Sequence, residues 1–201
     1  MELSASRLWM SRKDGEAERI DEIVARAVTG DRAAFEDIVM LHERRVLTLA
    51  YRLLGTKEDA QDAAQDVFLR AYKYIHRLDT TKPIEPWLVR MTVNVCRDIG
   101  RHRQRRRAAF PAATTDAMAG TSADPHDGMA VEQQRQLLRK ALDDLGEKER
   151  MAVVLRDIEG FSTAEVAAIL RSSETTVRSQ VSRARLKIKE AIELLLIGGR
   201  R

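Results

Sequence analysis

Two clusters of basic side chains have the residue types and spacing needed to bind a polyanion. One holds six arginines and a single aspartate between residues 97 and 107, and the other holds six basic residues and two acids between residues 171 and 190. In the second cluster, one helical stripe is formed by Arg178, Ser179, Ser182 and Arg183. Arginine on a helix in the major groove of DNA can bond guanine O6 and N7, and serine can reach any base edge. A solvated surface helix is the alternative explanation.

A segment of the N-terminal part of the chain, before the first arginine cluster, carries acidic side chains instead. Asp62, Gln65, Asp66 and Arg70 are spaced by three and four residues, so they share one face of a helix. A solvated face is the ordinary explanation for such a stripe. If a partner of complementary charge exists, the same stripe would speed and orient its docking.

Several kinds of chemistry are excluded by what the sequence lacks. Cys96 is the only cysteine, so an intrachain disulfide and a cysteine-rich zinc site are impossible. The four histidines are scattered, and we find no Walker loop, paired-carboxylate metal pattern or nucleophile–base signature. We therefore expect a protein that is not an enzyme and binds no cofactor or metal. We also expect Cys96 to be buried and inert.

The sequence also lacks the patterns of a membrane or secreted protein. No apolar run approaches the roughly 20 residues that span a bilayer. The first 13 residues lack the apolar core of a signal peptide. We expect a cytoplasmic protein with no membrane insertion of its own.

The elements that must position these side chains are all helices. The chain has 201 residues, 44% of them apolar, and helical periodicity recurs along it without sustained strand alternation. The predicted fold class is all-α, with two small helical domains joined by a flexible linker and a helix-turn-helix in the C-terminal domain. The predicted boundaries are a disordered extension at 1–16, domains at 17–107 and 129–197, and a linker at 108–128 that holds no lysine or arginine.

Start and stop signals divide the N-terminal domain into helices. Asp31 and Thr56 are favourable N-cap residues, and Gly55 between them is a typical helix stop. The segment Leu78–Pro86 contains two prolines and two threonines, which predicts a loop. The helix after it carries Trp87, which at the start of an amphipathic helix is usually a core residue, and then runs into the first arginine cluster.

The C-terminal domain contains the signals of a helix-turn-helix. A helix over residues 147–158 precedes a capping box formed by Ser162 and Glu165. A short apolar helix follows, is broken at residues 171–173, and gives way to a longer basic helix that begins at Glu174. In this arrangement the second helix enters the major groove of DNA.

Three segments resemble conserved regions of bacterial RNA polymerase sigma factors. The fourth region of these factors is resembled by FSTAEVAAILRSSETTVRSQVSRARLKI. Their second region, the main contact with core RNA polymerase, is resembled by EDAQDAAQDVFLRAYKYI. The promoter-melting helix that follows it is resembled by PWLVRMTVNVCRDIGRHRQRR. First and third regions are absent, so the layout is similar to the extracytoplasmic-function sigma factors over residues 31–107 and 129–192. The sequence departs from that family at Arg171, where glycine is common, and at Ser172.

The resemblance implies three binding surfaces and no enzymatic activity. Duplex −35 DNA would be contacted by Thr176, Arg178, Ser179, Ser182, Arg183 and Arg185. Melted −10 DNA would be contacted by Asp79, Lys82, Ile84, Trp87, Arg90, Asn94, Arg97 and Arg101. Core RNA polymerase would dock on Asp62, Gln65, Asp66 and Arg70. The implied partners are core RNA polymerase, promoter DNA in duplex and single-stranded form, and an anti-sigma factor.

Three alternatives compete with this interpretation. A helix-turn-helix regulator acting outside the polymerase holoenzyme would bind duplex DNA alone, and the acidic stripe argues against it. An enzyme acting on nucleic acid would need a catalytic pattern that the sequence lacks. A sigma-like protein that no longer reads promoters is kept open by the departures at Arg171 and Ser172.

Overall fold

The computed structural model describes residues 14–109, 140–142 and 144–198. Every regular element in these ranges is a helix, which confirms the predicted all-α class. The chain divides into two compact units, Met1–Thr115 and Asp116–Arg201. None of the helices described is both long enough and apolar enough to cross a membrane.

The described residues of the first unit, 14–109, form four α-helices. They are α1 (Asp14–Val28), α2 (Arg32–Leu54), α3 (Lys57–Tyr74) and α4 (Ile84–Ala109), with one turn of 3-10 helix at Ile75–Arg77 after α3. Helix α1 begins three residues before the predicted domain boundary at residue 17. Helix α4 extends two residues past the expected domain end. The rest of the predicted extension and linker lies outside the described residues.

The predicted caps fix where these helices begin and end. The Asp31 carboxylate accepts from the Ala34 N–H at 3.1 Å, and Thr56 Oγ1 accepts from the Asp59 N–H at 3.4 Å. Gly55 adopts φ 84°, a left-handed conformation, and its N–H donates to the Tyr51 carbonyl at 2.9 Å. A side-chain N-cap contributes about 1 kcal/mol to helix stability. Asp31 and Thr56 therefore determine where α2 and α3 begin, and α3 carries the acidic residues Asp62 and Asp66.

The loop before α4 is shorter than the sequence predicted. Helix α4 begins at Ile84, so the last three residues of the expected Leu78–Pro86 loop are helical. Ile84 and Glu85 are buried, and Ile84 belongs to the apolar cluster that joins α1, α2 and the end of α3. Pro86 is tolerated because the first turn of a helix has no intrahelical partner for its N–H groups. Because Ile84 packs in this cluster, the helix begins there, although the composition of residues 78–86 is typical of a loop.

The second unit contains the predicted helix-turn-helix. After the helical residues 140–142, its elements are α5 (Glu147–Val153), a π-helical turn (Val154–Ile158), α6 (Thr163–Leu170) and α7 (Glu174–Gly198). The expected single helix over residues 147–158 thus changes pitch half-way. The Glu159 N–H donates to the Val154 carbonyl at 2.8 Å, five residues back, as in a π-helix.

The start of α6 is held by local hydrogen bonds. Ser162 Oγ accepts from the Glu165 N–H at 3.2 Å, and the Glu165 carboxylate accepts from the Ser162 N–H at 2.7 Å, which confirms the predicted capping box. Helix α7 packs its apolar stripe inward, with Val177, Val181 and Ala184 buried. The opposite stripe of α7 is therefore presented to solvent.

Candidate nucleic-acid and polymerase interfaces

The reading stripe, defined as Arg178, Ser179, Ser182 and Arg183, lies on the solvent side of α7. Three of its four side chains are exposed and Ser179 is half-buried. Within the stripe, Arg183 Nη2 donates to Ser179 Oγ at 3.1 Å, and Arg178 Nη2 donates to the Glu174 carboxylate at 2.6 Å. The structure thus brings the predicted base-reading residues together, with each arginine held in a defined direction.

Thr176, also predicted to contact −35 DNA, belongs to the start of α7. Its N–H donates to Ser173 Oγ at 3.1 Å, and the two hydroxyls lie 2.8 Å apart. Thr176 is exposed in spite of these bonds. Its local role is to close the first turn of the helix that carries the reading stripe.

Arg185 is held by another element of the same unit. Its Nε and Nη2 donate to the two carboxylate oxygens of Asp157 at 2.8 and 2.7 Å, a bidentate pair between α7 and the π-helical turn. This pairing raises the pKa of the guanidinium. One turn of π-helix therefore supplies the partner of a residue that we expected to meet DNA, and this pairing was not foreseen from the sequence.

A second ion pair strengthens the same attachment. Lys187 Nζ lies 2.7 Å from the Glu149 carboxylate on α5, and this bond holds the pKa of Glu149 below its ordinary value. Glu149 also accepts from the Gly146 N–H at 3.3 Å, so the same carboxylate caps α5. Both pairs fix the rotation of α7 about its axis.

The first arginine cluster is divided between two faces of α4. The α4 stripe, spaced by three or four residues, consists of Arg90, Asn94, Arg97, Arg101 and Arg105. Arg90, Arg101 and Arg105 are exposed, whereas Asn94 and Arg97 are half-buried. At 1.5 Å per residue this stripe is about 22 Å long. Arg105 was not among the predicted site residues, although its periodicity places it in the same stripe.

Arg103 points away from this stripe and anchors the helix. It forms an ion pair with Asp59 in the first turn of α3, and its Nη1 donates to the Leu54 carbonyl at the end of α2 at 3.4 Å. Asp59 also accepts from Thr56 Oγ1 at 2.6 Å. The junction between α2 and α3 therefore holds the C-terminal part of α4, and one of the arginines in the cluster has a structural role.

The loop before α4 is closed around one carboxylate. Asp79 accepts from the Thr81 N–H and hydroxyl at 3.1 and 2.5 Å, and Lys82 Nζ lies 2.8 Å from its other oxygen. The bond from Lys82, with those from Thr81, lowers the pKa of Asp79 to about 2. Both predicted DNA-contacting residues of the loop are exposed and paired with each other.

Two other predicted −10 residues belong to the core or its border. Ile84 is only 2% exposed and packs in the apolar cluster of the first unit. Its side chain is therefore not presented to DNA in this structure, and a contact of Ile84 with a base stays a prediction. Trp87 is half-buried and packs against the same cluster, as a core residue would.

The acidic stripe on α3 continues into exposed apolar side chains. Asp62, Gln65 and Asp66 are exposed, and one turn further Leu69 and Tyr72 are 62% and 55% exposed. These five residues form the docking face. Large exposed apolar groups beside charges are typical of a protein interface. The sequence alone does not show that Leu69 and Tyr72 are exposed, because their exposure depends on which side of α3 packs against the rest of the unit.

Arg70 borders the docking face and is half-buried. Its Nη1 donates to the Asp98 carboxylate on α4 at 3.3 Å. Arg70 therefore has a carboxylate partner on α4, while 42% of its side chain stays exposed beside the acids of α3. It links α3 to α4, the helix that carries the α4 stripe.

Comparison with known proteins identifies the family. The family models for Sigma-70 region 2 and Sigma-70, region 4 match residues 38–108 and 135–188. The chain is 36% identical over 188 residues to the ECF RNA polymerase sigma factor SigM of Mycobacterium tuberculosis, a match that covers 92% of this chain and 90% of that protein. The chain belongs to the extracytoplasmic-function RNA polymerase sigma factors. It is also 29% identical over 184 residues to the ECF RNA polymerase sigma-E factor of Escherichia coli K12, covering 87% and 94% of the two chains.

Solved structures have the same fold as this sigma factor. The structure of CnrH in complex with the cytosolic domain of CnrY matches with a TM-score of 0.60 and 26% identity, over 87% of this chain and 97% of CnrH. The sigma factor RpoE, in a co-crystal with the anti-sigma factor NepR from Bartonella quintana, matches with a TM-score of 0.66 and 24% identity over 79% and 96%. A regulator that acts outside the polymerase holoenzyme is not favoured, because such a regulator would not need the Sigma-70 region 2 that residues 38–108 match.

The single thiol of this sigma factor is buried. Cys96 is fully enclosed by the first unit, and burial, with a smaller effect of Asp59, raises its pKa to about 12. The thiol is therefore protonated at physiological pH and has little thiolate to react with oxidants. This agrees with the expectation that Cys96 is an inert core residue.

Proposed function

We propose that this sigma factor divides its work among three helices. The docking face of α3 binds core RNA polymerase, the α4 stripe binds melted −10 DNA, and the reading stripe of α7 reads duplex −35 DNA. The proposal is carried by one observation. In each matched family region, exposed charged side chains are gathered on one side of a helix whose other side is buried. The factor is not an enzyme in this account, and it acts in the cytoplasm beside the polymerase.

The −35 element would be read by direct contact with base edges. Arg183 is oriented by Ser179, and a guanidinium held in this way is suited to bidentate contact with guanine. Arg178 would exchange its pairing with Glu174 for a base or phosphate. Arg185 contributes mainly by fixing α7 through Asp157, and this limits its direct part in binding.

The −10 element would be held as a single strand along α4. A stripe of cations that tracks a backbone, with polar groups for base edges, is the usual design for single-stranded DNA. Asn94 supplies an amide in the middle of the stripe, where an unstacked base would meet it. The paired Asp79 and Lys82 would border that site, and strand entry would compete with their mutual bond.

Docking on the polymerase would combine charge with apolar contact. Asp62 and Asp66 would steer a basic surface into place, and the exposed Leu69 and Tyr72 would supply the apolar centre that gives an interface its affinity. We also propose an anti-sigma factor as a partner. The likeness to CnrH, which was solved with the cytosolic domain of CnrY, supports the idea that a second protein binds and withholds this factor.

The proposal is tested by separating polymerase binding from strand capture. Holoenzyme is reconstituted with this protein or with R101A/R105A, and fork DNA with a single-stranded −10 segment is titrated against each. We expect the double variant to co-elute with core polymerase as the wild type does and to lose at least about tenfold in affinity for the fork, because two phosphate contacts are removed.

The matched control is R32A, since Arg32 is an exposed arginine on α2 and lies outside the stripe. Equal fork affinity for R101A/R105A and R32A would contradict the assignment of the α4 stripe. Failure of the wild type to bind core polymerase would contradict the proposed docking as a whole.

A further inference from the structure

Arg171 occupies the turn between α6 and α7 in a conformation that arginine seldom adopts. Its φ and ψ are both 52°, in the left-handed region, and it is the one residue other than glycine with a positive φ in the described part of the chain. Glycine would adopt this conformation without steric cost. The arginine side chain therefore carries a conformational cost that glycine would not have at this position. Backbone strain of this kind is found most often at functional sites, which suggests a role for the side chain.

The charges around the turn indicate what that function is. Most cations from α6 onwards are neutralised within the unit, as Arg178 is by Glu174, Arg185 by Asp157 and Lys187 by Glu149. Lys189 lies 3.8 Å from Glu193. Among the described residues of this segment, Arg171 and Arg183 form no ion pair, although the charge of Arg183 acts on the more distant Glu149. A phosphate can pair with either of them without first breaking an ion pair.

Arg171 is close along the chain to the end of α7 that approaches DNA. It lies two residues before Ser173, which caps α7, and it is exposed. In a helix-turn-helix the first residues of the second helix reach the bases, so the turn before them runs beside the sugar–phosphate backbone. An exposed, unneutralised guanidinium at that place is suited to a phosphate oxygen.

We propose that Arg171 contacts a DNA phosphate next to the −35 element and fixes the depth and register at which the reading stripe of α7 enters the groove. This inference rests on the proposed function of α7 and adds a residue to it. Arg171 carries no base information itself. Its contribution is to affinity, and it depends on salt because phosphate pairing releases counterions.

The test uses holoenzyme and a duplex whose −35 sequence has been enriched by the wild-type holoenzyme from a random pool. Affinity is measured over a range of KCl concentrations for the wild type, R171G and R171N, since asparagine tolerates the left-handed region without a charge. Both variants should bind about threefold to tenfold more weakly, and the slope of log K against log salt should become shallower by about 0.9, the value for one phosphate.

The control variant is K189A, which removes the same charge from a cation that already has a neighbouring carboxylate. K189A should keep the wild-type slope. The base preference of R171G in a repeated selection should equal that of the wild type, and its melting temperature should not fall, because glycine suits the turn. Weaker binding by a variant that folds at least as well is a result that a merely structural role for Arg171 cannot give.

Wild-type affinity and slope in both R171G and R171N would overturn the inference, and so would an equal loss in K189A. If the wild-type holoenzyme enriches no −35 sequence at all, the proposed function of α7 fails, and the inference about Arg171 fails with it. The two failures are therefore distinguished by the wild-type arm alone.

Discussion

Arg185 and Asp157, 28 residues apart, form a bidentate ion pair that joins α7 to the π-helical turn. Arg185 is 62% exposed and Asp157 is 26% exposed, so solvent screens the pair in part. Its value is then mainly geometric. The pair fixes the rotation of α7 about its own axis, and hence the direction in which the reading stripe faces.

Removal of the Asp157 carboxylate should loosen this attachment. We expect D157N to lower the free energy of unfolding by about 0.5–1 kcal/mol, the range for a partly exposed pair, and to weaken −35 binding without changing base preference. Urea denaturation and a binding titration measure the two effects. E193Q serves as the control, because its partner Lys189 is more exposed and 3.8 Å away. No difference between D157N and E193Q in either measurement would contradict the account.

The Lys187–Glu149 pair gives a prediction about pH. The bond from Lys187 depresses the pKa of Glu149 below its ordinary value of 4.5. A carboxyl with a depressed pKa stabilises the folded state above its unfolded pKa, and this stabilisation is lost as pH falls through the folded value. E149Q, which retains a cap for Gly146, should therefore be less stable than the wild type at neutral pH, and the difference should shrink below pH 4.5. A difference that stays constant with pH would show that the ion pair contributes nothing.

The docking face can be tested by reversing its charge. D62R/D66R should abolish co-elution with core RNA polymerase, because two repulsive charges would replace two attractive ones. Its circular dichroism should match that of the wild type, since both side chains are exposed. E18R/E22R makes the same change on exposed positions of α1 and should co-elute normally. Normal co-elution of D62R/D66R would refute the assignment.

The reading stripe makes a prediction about specificity. R183A should lose about 1–3 kcal/mol of binding free energy at the −35 element and should accept several bases at one position. A selection from a random −35 pool, followed by sequencing, measures both. K189A, on the same helix but outside the stripe, should select the wild-type sequence. An unchanged preference in R183A would show that this residue does not read a base.

Much of the fold follows from short-range signals in the sequence. The caps at Asp31, Thr56 and Ser162 were predicted because each depends on residues within three positions. The Leu78–Pro86 loop was overestimated because burial of Ile84 depends on helices that are distant in sequence. The same reason applies to Arg185, whose partner lies in another element.

The arginine cluster illustrates what spacing can and cannot resolve. Its periodicity predicts that Arg101 and Arg105 share a face, and in the structure both are exposed. The inward role of Arg103 could not be predicted, because it depends on where the α2–α3 junction lies. At Arg171, the sequence left open whether the turn would be kept, and the structure keeps it at φ 52°.

Whether this protein directs initiation at promoters can be measured by run-off transcription with core polymerase that lacks other sigma factors. This protein is added to the core enzyme with a pooled library of genomic promoter fragments from its source organism, and the 5′ ends of the transcripts are sequenced. If the protein directs promoter-specific initiation, the transcripts should begin at discrete start sites that share one −35 and one −10 element. Their abundance should fall in R183A and in R101A/R105A and remain in R32A. Start sites that do not depend on this protein, or that share no upstream element, would contradict the proposed function.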